Sequence, residues 1–101
     1  MSASNLQTVT KTGAFTAVAI SGRTRVVGIY YTCNNTASLI HLHNNRTGAG
    51  TAQTSIYTPA AAGAYDIIIP DMGLLFTEAV FLEFSANVTS VTLIFYGGAA
   101  V

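Results

Sequence analysis

The sequence predicts an all-β domain, an antiparallel β-sandwich or jelly roll of about eight short strands, and three observations predict it. Runs rich in Val, Ile, Thr, Tyr and Phe recur at the roughly 8–12-residue spacing typical of sandwiches and barrels. Gly, Asn, Ser and Pro punctuate them, and several runs alternate with the period of two that sorts the faces of a strand. No segment carries the apolar period of an amphipathic helix. A small barrel is the next architecture that fits the pattern.

The first strand is expected over Leu6 to Thr10, preceded by residues 1–5 as a flexible or partner-bound arm of a single domain spanning residues 1–101. Ala14 to Ile20 follows, with Phe15, Ala17 and Ala19 alternating against Thr16, Val18 and Ile20, and Ser21-Gly22 is expected to close it. Thr24 to Cys33 ends at the turn formers Asn34-Asn35, and Ser38 to His43 ends at Asn44-Asn45, before a flexible tip at Arg46-Thr47-Gly48-Ala49-Gly50. Ala52 to Tyr57 is next. Pro59 then ends ladder pairing, and Ala60 to Gly63 connect to Tyr65 to Ile69. Pro70-Asp71-Met72-Gly73 turns the chain toward Leu74 to Phe76. Ala79 to Phe84 and Ser90 to Tyr96, joined by Ser85-Ala86-Asn87, are expected to pair as a closing hairpin.

The composition is unusually poor in charge. Charged residues make up 8% of the chain and hydrophobic residues 50%, with four basic side chains balancing four acidic ones. Soluble domains carry about 25% charge, so much of this surface must be uncharged, and partner protein is the expected substitute for water. No apolar run reaches the length of a membrane-spanning helix, and Gly13 to Ile20 alternates like a strand instead of forming a signal-peptide core. Lys11, Arg23, Arg25 and Arg46 form no polybasic field for nucleic acid or anionic lipid. Cys33 is the only cysteine, so no intrachain disulfide can form, which suits a reducing cytoplasm.

Three strands are apolar on both faces. In Thr24 to Cys33, Val26, Gly28 and Tyr30 share one face while Arg25, Val27, Ile29 and Tyr31 share the other. In the last pair, Val80, Leu82 and Phe84 oppose Phe81 and Glu83, and Val91, Leu93 and Phe95 oppose Ile94 and Tyr96. A sheet with one wet face should alternate apolar and polar, so the second face reads as an interface. Tyr30, Tyr31, Phe81, Ile94 and Tyr96 are the expected interface residues, with Arg46 and Pro59 in loop tips free to touch neighbours.

Chemical motifs are sparse. His41 and His43 project from one face of a strand and are the candidates for a shared metal, but no third ligand stands at a recognisable spacing, so no metal and no cofactor are expected. No Ser or Cys sits in a nucleophile motif, so no catalytic residue is assigned and no enzyme is expected. Asp71 reads as a turn residue, and Glu83 as a contact or an Arg partner. Asn34, Asn45 and Asn87 form Asn-x-Ser/Thr sequons at positions where turns already call for Asn.

At Thr24 to Tyr31, Tyr57-Thr58-Pro59-Ala60, Ile69 to Phe76 and Asn87 to Tyr96, the chain resembles small β-rich virion structural proteins of tailed bacteriophages, especially marine and cyanobacterial ones. The resemblance covers roughly residues 24 to 96 and rests on strands and turns without a chemical signature. It implies a non-enzymatic virion protein, assembled in the bacterial host cytoplasm. A capsid decoration or cement protein, commonly trimeric and attached to the major capsid protein, is the leading expectation. A tail or fibre subunit and a β-sandwich module binding host glycan are the alternatives.

Overall fold

The computed structural model describes residues 5–101, so the arm expected over residues 1–5 lies outside it except for Asn5, which is exposed. The chain is all-β as predicted: eight strands form one antiparallel, curled sheet, and no helix occurs among the described residues. The strands are β1 (Gln7–Thr12), β2 (Phe15–Cys33), β3 (Ser38–His43), β4 (Thr54–Thr58), β5 (Gly63–Ile68), β6 (Leu74–Phe76), β7 (Ala79–Phe84) and β8 (Val88–Ala100). They run in the order β1-β8-β2-β7-β3-β4, with β5 and β6 also paired to β2.

The break expected at Ser21-Gly22 does not occur, and the second and third predicted runs are one strand of 19 residues. Gly22 adopts a φ of 90°, so the chain bends there and continues. At about 3.3 Å per residue a straight strand of this length would reach roughly 60 Å, whereas the longest dimension of the molecule is 43 Å. Register shifts between Val18 and Ile20, Ser21 and Thr24, Val26 and Gly28, and Thr32 and Cys33 distribute the bend. The two ends of β2 consequently meet. Gly13 N, just before the strand, donates to Thr89 O at 3.1 Å, and Asn34 N, just after it, donates to Asn87 O at 3.0 Å.

Both edges of β2 are covered along most of its length. Residues 63–84 run back along one edge as β5, β6 and β7, and β8 follows the other from Cys33 to Ile20. The closing hairpin expected from β7 and β8 is therefore not formed, because β2 lies between them. Ser85-Ala86-Asn87 instead crosses from the start of β2 to its end, a short passage only because the strand is curled. β1 docks on the free edge of β8, and the β3–β4 hairpin docks on the free edge of β7.

The inner surface of the curl is the core. Phe84, Ile40, Leu82 and Leu42 from one half meet Val26, Ile29, Val91, Leu93 and Phe95 from the other, all buried. The register shift between Val26 and Gly28 explains why β2 reads as apolar on both faces. Before the shift Thr24 and Val26 point inward, and after it Ile29, Tyr31 and Cys33 do, so one buried face changes sequence parity. β7 is covered on its second face too, but by its own chain: the tip of the β3–β4 loop lies on Phe81.

Gly97 and Gly98 lie in β8 opposite the bend in β2, with φ of 70° and 57°. A Cβ on Gly98 would collide with Thr24 Oγ1 and come within 2.7 Å of Ile20 Cγ2, whereas one on Gly13, at a φ of 69°, meets nothing within 4 Å. Gly98→Ala should therefore lower unfolding free energy by roughly 2–4 kcal/mol and Gly13→Ala by about 1 kcal/mol. Urea titrations of the two variants check this, and equal losses would show that the bend is not sterically closed.

Candidate functional site

Register pairing places Thr16, Glu83, His41 and Ser55 in one row across β2, β7, β3 and β4, on the outer face of that half of the sheet. Val18, Phe81 and His43 form the next row. Paired residues of an antiparallel sheet project to the same side, so four strands distant in sequence bring together both histidines, a carboxylate and a hydroxyl. His41 Nδ1 and Ser55 Oγ are 2.7 Å apart, and His43 Nε2 and Glu83 Oε1 are 3.4 Å apart. The two imidazole centroids are separated by 6.2 Å, as expected for alternate residues on one strand face.

The two rings differ in environment. His43 is buried, with its edge against Phe81 at a centroid distance of 6.0 Å, and its Nδ1 has no hydrogen-bond partner. Nε2 donates to the Glu83 carboxylate, which leaves Nδ1 as the buried nitrogen without a partner. His41 is half-buried, and its Nε2 has no hydrogen bond within the described residues. Of the two readings of Glu83, a contact or an Arg partner, the structure shows a contact, with His43.

The loop between β3 and β4 roofs this face. Asn45 Oδ1 accepts from Thr47 N at 3.1 Å and Gly48 N at 2.7 Å, and Asn45 Nδ2 donates to Ala49 O at 3.0 Å. Asn44 anchors the loop to Thr77 and Glu78, and Gln53 Nε2 donates to Leu75 O at 2.8 Å. Gly48 lies flat on Phe81, where a Cβ would come within 2.5 Å of Cε1. The tip expected to be a free flexible loop is therefore fastened to its own sheet. Between roof and sheet is a cleft of about 370 Å³ lined by His41, His43, Glu83, Ser55, Gly48 and Thr51, among others. A second cleft of about 270 Å³, lined by Ser38, Leu39, Phe84 and Ser85, shares His41 and Glu83 with it.

Chemically the cluster offers hydrogen bonds and one carboxylate. His41 and Ser55 have the reach of a base and a hydroxyl nucleophile, but Glu83 engages His43 and the Gly48 amide engages Asn45, so neither orients His41 nor supplies an oxyanion donor. No group of three or more His, Cys, Asp or Glu among the described residues could hold a metal ion.

The expected interface residues separate into two groups. Tyr30 is 48% exposed and Tyr96 38%, Ile94 is half-buried, and Arg46 and Pro59 are exposed in loops. Tyr31 and Phe81 are buried in their own chain, Tyr31 because of the parity change in β2 and Phe81 because of the loop roof. Ile94 and Ile68 pair on either side of Gly28, and Ile94 Cδ1 lies 3.1 Å from where a Gly28 Cβ would stand. Tyr30 and Asp66 form the row on one side, and Tyr96, Arg25 and Leu75 the row on the other side of Gly28. Ile68, at 68% exposure, was missed in the run Ile67-Ile68-Ile69, since only its register with Gly28 reveals which isoleucine faces out. Tyr57 is 79% exposed beside Leu39.

Comparison with known proteins finds no family model that matches the chain, and no curated protein or solved structure that is similar to it.

Tyr31 stacks on Tyr65 at a centroid distance of 5.4 Å, and burial, with smaller contributions from Cys33 and Tyr65, pushes its phenol above the ordinary value. A raised folded-state pKa contributes stability that is present below about pH 10 and lost as pH rises through the folded value. In an ultraviolet phenolate titration of the native protein, Tyr31 should ionise after the exposed tyrosines, and Tyr31→Phe should remove that late step. An unchanged curve in the variant would refute the assignment.

Proposed function

We propose that the chain is a non-enzymatic bacteriophage virion structural protein, a capsid decoration or cement protein that self-associates and attaches to the major capsid protein. The observation that carries the reading is the outer face of β1, β8, β2 and β5, where Tyr30, Ile68 and Ile94 stand exposed or half-exposed in adjacent rows. Arg25 and Asp66 border this patch on opposite sides, so a second copy meets one charge of each sign at the rim of an apolar centre. Hydroxyls pair across strands elsewhere on the face: Thr10 with Thr92 at 2.8 Å, and Thr32 with Ser90 at 2.6 Å. Such a surface holds neighbours by burial and shape, and many copies on one shell multiply a modest contact.

The finer architecture belongs to the same reading: the curl of β2 lays two halves of the sheet over one core, in the manner of a jelly-roll-like sandwich. The resemblance of residues 24 to 96 to small phage virion proteins supplies the partner.

Light scattering at micromolar concentration should give a multiple of the 10.5 kDa monomer mass, three copies for a decoration trimer. Ile68→Asp combined with Tyr30→Ser, both on exposed positions, should yield a folded monomer that no longer cosediments with capsids. A monomeric wild-type chain would overturn the self-association.

A further inference from the structure

We propose that the groove divided by His41 and Glu83 binds a neutral saccharide, with Tyr57 as its stacking platform. The two clefts adjoin across these side chains, and each leaves a polar atom unengaged by the described residues: His41 Nε2, because Nδ1 meets Ser55, and the second oxygen of Glu83, because Oε1 meets His43. Glu83 keeps 46% of its side chain exposed, and the buried His43 behind it holds it in place. Ser38, Ser55, Thr51 and Ser85 add hydroxyls around the same lining.

That set fits a sugar ring. Vicinal hydroxyls donate to a carboxylate and exchange hydrogen bonds with imidazole and serine groups, while the C–H face of a pyranose lies on an aromatic ring. Tyr57 supplies the ring: its ladder partner Leu39 lines the second cleft, and Tyr57 shares the face of Ser55 two residues earlier. Combined, the clefts fall within the roughly 300–1,000 Å³ of small-molecule sites. No Lys or Arg lines either cleft, so an acidic sugar would meet Glu83 without a counter-charge. Glycoside hydrolysis uses a pair of carboxylates, and Glu83 is the only carboxylate in the lining, so the site holds a sugar without cleaving it. A metal ion is disfavoured, since only two free donors converge there and structural sites take about four.

Saturation-transfer NMR on the full chain with methyl glycosides of glucose, galactose and mannose, and with N-acetylneuraminic acid for comparison, tests this. At least one glycoside should receive transfer, strongest at its ring C–H protons. Tyr57→Ala and Glu83→Gln should each weaken binding by about tenfold or more, while Tyr57→Phe retains it. Absence of transfer to every glycoside, equal transfer in Tyr57→Ala and Glu83→Gln, or a preference for N-acetylneuraminic acid would overturn the proposal. The Ile68→Asp and Tyr30→Ser variant should bind as wild type, because its substitutions lie on the other half of the sheet, so loss of self-association and loss of sugar binding are read separately.

Discussion

The bend in β2 is the constraint on which the rest of the structure depends. A strand whose straight length exceeds the molecule must curve, and because both its edges are paired, every strand attached to it curves too. Curling the sheet is what gives it an inside. Phe95 and Leu93 reach Leu82 and Leu42 because Gly22 turns the chain and Gly97 and Gly98 let β8 follow at the same place. At the bend the positive φ falls on Gly22, Gly97 and Gly98, where it is cheap. The same curl brings Gly13 and Asn34 to the two ends of one short segment, so the crossing from β7 to β8 needs only three residues.

Much of this fold was legible in the sequence. Strand content, the turn at Asp71 and the shared face of His41 and His43 all follow from period and turn chemistry that are local to a few residues. What the sequence concealed is non-local. Ser21-Gly22 carries the same signal whether a chain reverses or merely bends, and only the partner strand decides between them. Val26 to Ile29 reads as an apolar run on two faces because a bulge inserts one residue and reverses parity. The Glu83 to His43 contact spans 40 residues and depends on β3 docking on β7. In the candidate site, the residues were visible singly, but their juxtaposition required the register of four strands.

Sparse charge acquires a different meaning once the surfaces are seen. The outer faces are not bare hydrocarbon: threonine and serine pair with one another across strands, Thr10 with Thr92 and Thr32 with Thr89 and Ser90, satisfying each other's hydroxyls. The few charges take particular places. Lys11 lies over the Phe15 ring and reaches the Val101 carbonyl, Arg25 and Asp66 flank the apolar rows, and Glu83 sits between two clefts. Covering both sides of β7 needed no partner, only the loop that Asn45 folds against Phe81. The exposed apolar surface is consequently smaller and better bounded than composition alone suggests.

The placement of β1 has a kinetic consequence. Its ladder partner is β8, so β1 has no paired neighbour until some eighty residues later have been made. β2 likewise keeps one long edge open over that interval. A sheet assembled almost wholly from distant segments has high contact order and folds slowly, so this chain completes its sheet after synthesis of β8, not during it. Until then β1 and the unpaired edge of β2 are the segments most open to pairing with another chain.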